Sequence, residues 1–477
     1  MTADTWGFYY SYSSHRPQNF QLSSPWADRS AGGRVGGSVD GLLYALCFRF
    51  MPDADPTPVA TVFLRHRGEV LLLRRSEDVG SYPGQWGVVA GHVEDEDPSA
   101  SALRETEQET GLREADVHLQ RRGSAFTVEG ENPEAHWRVY PFFFDVETRS
   151  IETTWKTAEA EWTSPTATLR RDTVPGLWTS YRRVAPSILG LADDTTHGSA
   201  HLSIRALEVL RNRAGMLATS EASTIEDARG RLVDVAHRLL DARPSMAALA
   251  NRLHRVMHAS HPEPSPTAVE ANAHEAIQTA LAADEAAAET AAAQVGGTHV
   301  LTLSRSGTVL SALRAADPSP TVSVAVSAPG DEGVGVAEHL TEAGLDVTLL
   351  SDAAVPHHLQ EGSIDAVLVG ADTVHSSGAV VNKVGTYGAA LAAHRAEVPV
   401  YAACAVDKIS VDDSTPDESA ADRTVYDGPL DVAVQAPRFD TTPAALVTGG
   451  VLTDRGTLPS DEVTAVAEEL AELRAWT

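Results

Sequence analysis

Short runs of β-branched residues alternate with turn signals in the first part of the chain. The runs at 59–64, 70–73 and 139–146 predict strands, while residues 99–110 have the length and pattern of a helix. Strands and a helix mixed in this way indicate an α+β fold, which we assign to residues 51–190.

The pattern becomes helical after this segment. Arginine, glutamate, alanine and leucine recur with helical periodicity over residues 191–295, and the alanine-rich stretch 280–295 stops at two consecutive glycines. We therefore expect a helical subdomain over these residues.

Strand-like runs separated by helical stretches follow to the end of the chain. Such alternation predicts βαβ units, and so an α/β Rossmann-like domain with a parallel sheet over residues 296–477. Ligands of such sheets bind at the carboxyl ends of the strands. The expected strands are 300–303, 322–326, 347–350, 366–369 and 398–402.

Charge and composition narrow the possible partners. The 477 residues carry a net charge of −29, which repels polyanions and argues against direct nucleic-acid binding. An acidic surface with only Lys156, Lys383 and Lys408 as lysines is typical of proteins from concentrated salt, so we expect a halophilic, archaeal source. Two cysteines and the absence of a long apolar run predict a cytoplasmic protein with no membrane segment.

The first 50 residues differ from the remainder. They hold four arginines against three aspartates and are rich in serine, glycine and aromatic residues without regular periodicity. We expect residues 1–50 to be a disordered or spurious leader, with the natural start at Met51.

The predicted helix near residue 100 presents oxygen ligands on one face. Glu105 and Glu109 stand four residues apart, so both project from the same side, and Gln108 adds a neutral oxygen near Glu105. Asp97 before a proline predicts the helix start, and Gly111 predicts its end. Hard oxygen ligands suit Mg²⁺, which keeps waters and leaves room for phosphate oxygens.

The stretch from Gly91 to Leu112 resembles the Nudix box, in which a glycine and a loop glutamate precede Arg-Glu, a Glu-Glu pair and Gly-hydrophobic. The resemblance extends over residues 58–180 through the segments 71–75 and 82–87. It implies a mixed sheet sandwiched by helices, a Mg²⁺ (or Mn²⁺) cofactor and a nucleotide-type small molecule as substrate. The implied reaction is cleavage of a pyrophosphate bond in a nucleoside diphosphate derivative, for example ADP-ribose or a nucleotide sugar.

The same resemblance assigns roles to the acidic residues. Glu105 and Glu109 would be catalytic metal ligands, one of them serving as the base. Glu96 would be the loop carboxylate, although Asp97 competes for that role because the loop is one residue short. Gln108 stands where the family has the first glutamate of its pair, and is a further candidate ligand.

Two more residues of this stretch have expected binding roles. Gly91 would let the backbone approach the anionic substrate closely, and Arg104 would orient a neighbouring carboxylate. A folded Nudix domain with impaired catalysis, or an amphipathic helix whose acidic face is simply solvated, are the alternatives.

A second chemical motif lies in the last third of the chain. Asp372 follows the expected strand 366–369, at the end where ligands bind. Asn382 and Lys383, then Gly385 at a helix start, offer a phosphate an amide, a cation and free backbone N–H groups.

The motifs Gly-Ala-Asp at 370–372 and Asn-Lys-x-Gly-Thr at 382–386 resemble a second family. It unites the alpha, beta and delta subunits of initiation factor 2B with methylthioribose-1-phosphate isomerase and ribose-1,5-bisphosphate isomerase, and the likeness covers about 196–470. The isomerases use this aspartate, here the candidate catalytic residue Asp372, together with an upstream cysteine. Ser304 stands in place of that cysteine and would contact the substrate.

Other departures from the isomerases remove charge from this second site. Their Glu-Ser-Arg-Pro segment is here Val326-Ser-Ala-Pro329, and their Arg-Gly-Ala phosphate contact is here His197-Gly-Ser-Ala200. A binding or regulatory role for a sugar phosphate or nucleotide is therefore favoured over isomerisation. The family also implies self-association as a homo-oligomer.

The leading hypothesis from sequence is a Nudix pyrophosphohydrolase with a ligand-binding initiation factor 2B-like half. The main rival is an initiation factor 2B-like regulatory protein whose Nudix module only binds nucleotide. A third hypothesis is a ribose-bisphosphate-type isomerase that works through Asp372 without a cysteine.

Overall fold

The structure is a computed structural model, and the residues that it describes form two compact units. The described residues are 55–476 except 95–96, 131–135, 195, 222–223, 263, 415–424, 427 and 429. Among them, residues 55–64 and 88–155 form the first unit, and residues 65–87 and 156–476 form the second. The expected leader 1–50 and the candidate ligand Glu96 lie outside the described residues.

In chain order, mixed strands and helices come first, then a run of helices, and then strands that alternate with helices. The first elements are β1 (Thr57–His66), β2 (Glu69–Arg75), β3 (Trp86–Gly87), β4 (Val89–His92), α1 (Pro98–Thr110), β5 (Val117–Arg122), β6 (Phe126–Glu129), β7 (His136–Val146), β8 (Thr157–Thr163) and α2 (Leu177–Val184). The helical part has α3 (Ile188–Asp193), α4 (Ser199–Ala218), α5 (Ile225–Ala242), α6 (Ala247–Ala259) and α7 (Pro266–Val295). The last part has β9 (His299–Leu303), α8 (Gly307–Ala315), β10 (Thr321–Ala325), α9 (Glu332–Glu342), β11 (Asp346–Leu350), α10 (Val355–Gln360), β12 (Ala366–Gly370), β13 (Thr373–Val374), β14 (Val380–Lys383), α11 (Thr386–Arg395), β15 (Val400–Ala403), β16 (Phe439–Thr442), β17 (Gly450–Thr453), β18 (Gly456–Leu458) and α12 (Ser460–Glu472).

Antiparallel strands pack against α1, the long helix in the described part of the first unit. β1 pairs with β4, and β7 pairs with both β5 and β6. Successive side chains of a strand point to opposite faces, yet Phe142, Phe143 and Phe144 are all buried, so both faces of β7 are covered. The expected strand 139–146 is confirmed and is three residues longer at its start.

Helix α1 begins and ends where the sequence predicts. The Asp97 side chain accepts a hydrogen bond from the backbone N–H of Ser99 at 2.9 Å, and this bond holds the pKa of Asp97 below its usual range. Pro98 occupies the first helical position, where no amide is needed. Gly111 ends the helix in the left-handed conformation, with φ of 74°.

The long helix α7 is the centre of the helical part. It begins at a Ser265 side chain that accepts from the N–H of Ala268, and it ends at Gly296. Its buried positions are mostly alanines, and these small side chains let α4 pack closely against it. Leucines of α4 and α6, such as Leu207 and Leu253, complete this core.

The turn between β1 and β2 is fastened to these helices within the second unit. Arg211 of α4 donates to the carbonyl oxygen of Gly68 at 2.7 Å, and Arg65 forms a buried ion pair with Glu208 at 3.1 Å. A Cβ at Gly68 would lie 2.5 Å from Ile277 of α7, and the φ of 81° is itself unfavourable for other residues. The turn therefore needs glycine.

A parallel sheet forms the centre of the C-terminal part. Its strand order is β11-β10-β9-β12-β15-β17-β18, parallel except for the last pair. All five strands expected from the sequence are present, and helices alternate with the parallel strands. A smaller antiparallel sheet of β13, β14 and β16 was not predicted, because its strands have only two to four residues.

Buried arginine and aspartate side chains tie α6 to the parallel sheet. Arg252 of α6 is almost fully buried and contacts Asp407 at 3.1 Å and Asp284 of α7 at 2.9 Å. Arg255 reaches the second oxygen of Asp407 at 2.7 Å. These arginines hold the pKa of Asp407 below its usual range against the opposing effect of burial.

We expect Arg252→Ala to lower the free energy of unfolding by about 3–5 kcal/mol, because it removes the buried cation that Asp407 and partly buried Asp284 share and leaves Asp407 with Arg255 alone. The measurement is the urea midpoint at fixed salt. Arg238→Ala, which removes an exposed arginine of α5, is the matched control and should change stability little. Equal midpoints for the two variants would contradict the assigned role of the network.

Candidate functional site

The carboxylate of Glu105 lies directly over the backbone of Gly91. A Cβ at residue 91 would be 1.9 Å from Glu105 Cδ and 2.2 Å from Oε2, so any other residue there would require the Glu105 side chain to shift. Glu105 is 7% exposed and Glu109 8%, and both face away from bulk solvent on α1. The sequence predicted this common face, whereas a merely solvated acidic face does not fit the burial of these two carboxylates.

Two neighbours hold the pair in place. Arg104 donates from one guanidinium nitrogen to Glu105 Oε1 at 3.0 Å and to the carbonyl oxygen of His92 at 3.1 Å. The backbone N–H of Ala90 donates to Glu109 Oε2 at 3.4 Å. Strand β4 and helix α1 thus fix both carboxylates, and Arg104 has the orienting contact expected of it.

Gln108 does not share the environment of the pair. It is exposed on α1, as is Glu107, while Glu105 and Glu109 are buried. Among the described residues no cluster of three or more histidine, cysteine, aspartate or glutamate side chains is arranged to hold a metal ion. The described part of this site therefore provides two buried carboxylates, Glu105 and Glu109, while the ligand roles expected for Gln108 and Glu96 stay predictions.

The residues of the second motif meet at the carboxyl edge of the parallel sheet. Ser304 directly follows β9, and Asp372 follows the adjacent strand β12. The N–H of Asp372 donates to the carbonyl oxygen of Val381, which joins it to the strand that carries Asn382 and Lys383. Asp372 is half-buried, as its position at a strand end predicts.

The turns after β9 and β10 are held in an unfavourable backbone conformation. Ser304 and Ser327 have φ of 63° and 69°, a region that costs energy for residues with a Cβ. The N–H of Ser304 donates to Ser327 Oγ at 2.6 Å. Asp352 accepts from the N–H groups of Ser327 and Ala328 at 2.7 and 2.8 Å. Strained turns cross-linked in this way are typical of binding sites.

The expected phosphate-binding groups are present but occupied by protein partners. Lys383 is 4% exposed, and its Nζ donates to Pro329 O at 2.6 Å and to Glu332 Oε1 at 2.9 Å. Asn382 donates to the hydroxyl of Thr386. The backbone N–H of Gly385, expected to be free for a phosphate, instead donates to the carboxylate of Asp440 at 2.7 Å.

Sequence reasoning missed the carboxylates that satisfy this site. Asp440 also accepts from the N–H of Tyr387 and so caps helix α11, while burial raises its pKa. Asp352 and Glu332 lie far from the motifs along the chain, and only the fold brings them there. None of the three was among the site residues expected from the sequence.

Cys404 is placed as a packing residue. It lies just after β15, is fully buried in the apolar core and cannot replace the missing thiol at Ser304. Burial raises the pKa of its thiol to about 12, so it is protonated and unreactive at neutral pH.

Two family models match the chain. The Initiation factor 2 subunit family matches residues 195–460, more than half of the chain. The chain belongs to the Initiation factor 2 subunit family. A NUDIX domain is matched at residues 55–184, so a member of this family here carries a second, fused module.

Two isomerases and an initiation factor are similar to this chain. A methylthioribose-1-phosphate isomerase of Bacillus velezensis is 34% identical over 28% of this chain and 40% of its own length, so the match spans less than half of that relative. A ribose 1,5-bisphosphate isomerase of Haloferax volcanii is 30% identical over 57% of this chain and 88% of its own length. The crystal structure of translation initiation factor eIF-2B from Pyrococcus horikoshii has 24% identity and a TM-score of 0.48, and covers 57% of this chain and 95% of its own.

Within the described ranges, no helix of this Initiation factor 2 subunit family member combines the length and apolar character that spanning a membrane requires.

We expect Gly91→Ala to displace Glu105 and to lower the free energy of unfolding by about 1–3 kcal/mol, the usual cost of an extra methyl group in packed surroundings. The comparison is with Gly80→Ala, since a Cβ at exposed Gly80 meets nothing within 4 Å. Thermal unfolding gives the stability, and a crystal structure gives the position of Glu105. An unmoved Glu105 would refute the close contact.

Cys404 should resist alkylation in the native protein. We expect iodoacetamide at pH 8 to leave it unmodified, because a thiol with a pKa of about 12 has almost no thiolate at that pH. Peptide mass spectrometry measures the modification, and a sample unfolded in guanidinium provides the fully reactive reference. Rapid native labelling of Cys404 would show that the site is accessible.

Proposed function

We propose that this chain hydrolyses the pyrophosphate bond of a nucleoside diphosphate derivative, such as ADP-ribose or a nucleotide sugar, through its Nudix domain. The buried pair Glu105 and Glu109, fixed over Gly91, is the observation that carries the proposal. Burying two carboxylates on one helix is costly unless cations compensate them. Arg104 is such a cation for Glu105, and a divalent ion bound beside the helix would compensate the pair.

The donor set suits a divalent cation of the magnesium type. Carboxylate oxygens are the ligands that Mg²⁺ prefers, and it usually keeps several waters when only one or two carboxylates bind it. Glu105 and Glu109 would hold such an ion, and undescribed Glu96 remains a candidate third ligand. When bound, the ion would neutralise phosphate charge and lower the pKa of a coordinated water.

The protein groups themselves perform the positioning. Arg104 donates to Glu105 and so fixes one carboxylate oxygen, and the Ala90 N–H donates to Glu109. Because contacts between β4 and α1, rather than flexible loops, set the positions of the two carboxylates, little reorganisation is needed when an anionic substrate binds. A carboxylate that does not bind the ion directly can accept the proton of the attacking water.

Magnesium-dependent hydrolysis of ADP-ribose and nucleotide sugars should depend on this pair. We expect Glu105→Gln or Glu109→Gln to lower kcat by about 10²-fold or more, the usual contribution of a positioned acid–base or ligand carboxylate. Each change keeps the shape of the side chain and removes only its charge. The assay measures the released nucleoside monophosphate and sugar phosphate in high-salt buffer with and without Mg²⁺.

Glu107→Gln is the matched control, because Glu107 lies on the same helix but is exposed. It should retain full activity. No turnover of any substrate by the natural protein, together with recovery of an initiation factor as its partner, would favour the regulatory alternative.

For the C-terminal half we propose binding of a sugar phosphate or nucleotide rather than isomerisation. Ser304 lacks the acidity of a thiol, and the buried Cys404 does not supply one. Asp372 and Lys383 remain at the carboxyl edge of the sheet, where such ligands bind. Homo-oligomerisation and a cytoplasmic, halophilic setting belong to the same proposal.

The two halves suggest a shared metabolite. Hydrolysis of ADP-ribose gives AMP and ribose 5-phosphate, and ribose 5-phosphate is close in chemistry to the ligands named for the family's isomerases. The C-terminal half would then bind a product of the N-terminal half.

A further inference from the structure

The one cation expected to hold a phosphate already has an internal anion. Lys383 Nζ lies 2.9 Å from the carboxylate of Glu332, the first residue of α9, and 2.6 Å from Pro329 O. The lysine side chain is 5% exposed, whereas that of Glu332 is 27% exposed. Glu332 is the more exposed member of the pair, although its Oε2 is buried, and it occupies the Nζ of Lys383 that a ligand anion would have to contact.

The backbone around Glu332 is fixed, so its side chain is the part that can move. A Cβ at Gly333 would lie 1.8 Å from Ala325 O, which shows that the start of α9 is packed directly against the end of β10. The preceding turn is held through Ser327 by Asp352, and Asp331 has a φ of 54°. A rotation about the Glu332 side-chain bonds costs far less than a shift of this turn.

Two electrostatic interactions stabilise the Glu332 carboxylate beside Lys383, where a ligand anion would compete with it. Its carboxylate lies at the amino end of its own helix, where the helix dipole favours a negative charge. It also neutralises a buried lysine that would otherwise be an uncompensated charge. A ligand must therefore offer Lys383 a stronger interaction than one carboxylate does.

We propose that Glu332 determines the specificity of the second site: its carboxylate occupies Lys383 until a phosphate monoester dianion displaces it. Carboxylates and the singly charged diester phosphates of intact nucleotide sugars would not displace it. The inference rests on the proposed binding of a sugar phosphate at this site. It adds that the site discriminates a released sugar phosphate from the uncleaved substrate.

The test is a calorimetric titration of the full chain, at one fixed salt concentration, with ribose 5-phosphate, inorganic phosphate and citrate. It measures the Kd of each ligand. Glu332→Gln keeps the shape of the side chain and removes its charge. We expect this change to lower the Kd for ribose 5-phosphate and for inorganic phosphate by on the order of ten- to hundredfold, the value of one charge-assisted hydrogen bond. It should also admit citrate, which the natural protein excludes.

Controls separate charge from general damage. Glu338→Gln changes an exposed glutamate of the same helix and should bind as the natural protein does. Glu332→Asp keeps the charge and should retain the exclusion of citrate, and Lys383→Met combined with Glu332→Gln should abolish the gain. Thermal unfolding of every variant confirms folding before titration.

The outcomes distinguish the two proposals. If the natural protein binds ribose 5-phosphate and Glu332→Gln leaves affinity and selectivity unchanged, the role of Glu332 is refuted while sugar-phosphate binding stands. If neither folded protein binds any phosphate, both proposals for the second site fail. Tighter but less selective binding that requires Lys383 supports the inference.

Discussion

The contact between the Glu105 carboxylate and the bare backbone of Gly91 is the constraint on which the first site depends. Because a Cβ at residue 91 would come within 1.9 Å of Glu105 Cδ, the carboxylate can keep this position only while residue 91 is glycine. The same strand and helix place the N–H of Ala90 beside Glu109 and let Arg104 reach His92. Both acidic side chains are thus positioned by secondary structure rather than by loops.

The sequence was most informative where a local rule and a chemical requirement coincide. Asp97, Pro98 and Gly111 predicted the bounds of α1, since caps depend only on neighbouring residues. The parallel sheet was predicted for the same reason, because β-branched runs between helices report burial on both faces. The contact between Glu105 and Gly91 could not be predicted from the sequence, although both residues were named as site residues. We expected Gly91 to let the substrate approach the backbone. In the structure it makes room for the Glu105 side chain.

What could not be predicted involves partners far apart in sequence. Lys383 and Gly385 were expected to be available to a phosphate, yet Glu332 and Asp440 satisfy them. A buried cation or helix start must have a partner, but nothing local tells which acidic residue supplies it among 66 acidic side chains. Gln108 illustrates the reverse case. Its spacing from Glu105 allowed a shared role, while its exposure depends on how the helix rotates against β4, which spacing does not determine.

Charge gives the two sites a common physical setting. A chain with a net charge of −29 repels phosphates at long range, so each site must overcome that repulsion by contact. At molar salt the Debye length is only about 3 Å, and then the groups that touch the ligand decide binding almost alone. Under those conditions an ion pair such as that of Lys383 and Glu332 is screened much less than an exposed pair, because Lys383 is buried. The proposed exchange of this carboxylate for a ligand phosphate would therefore depend less on salt than binding at an exposed lysine would.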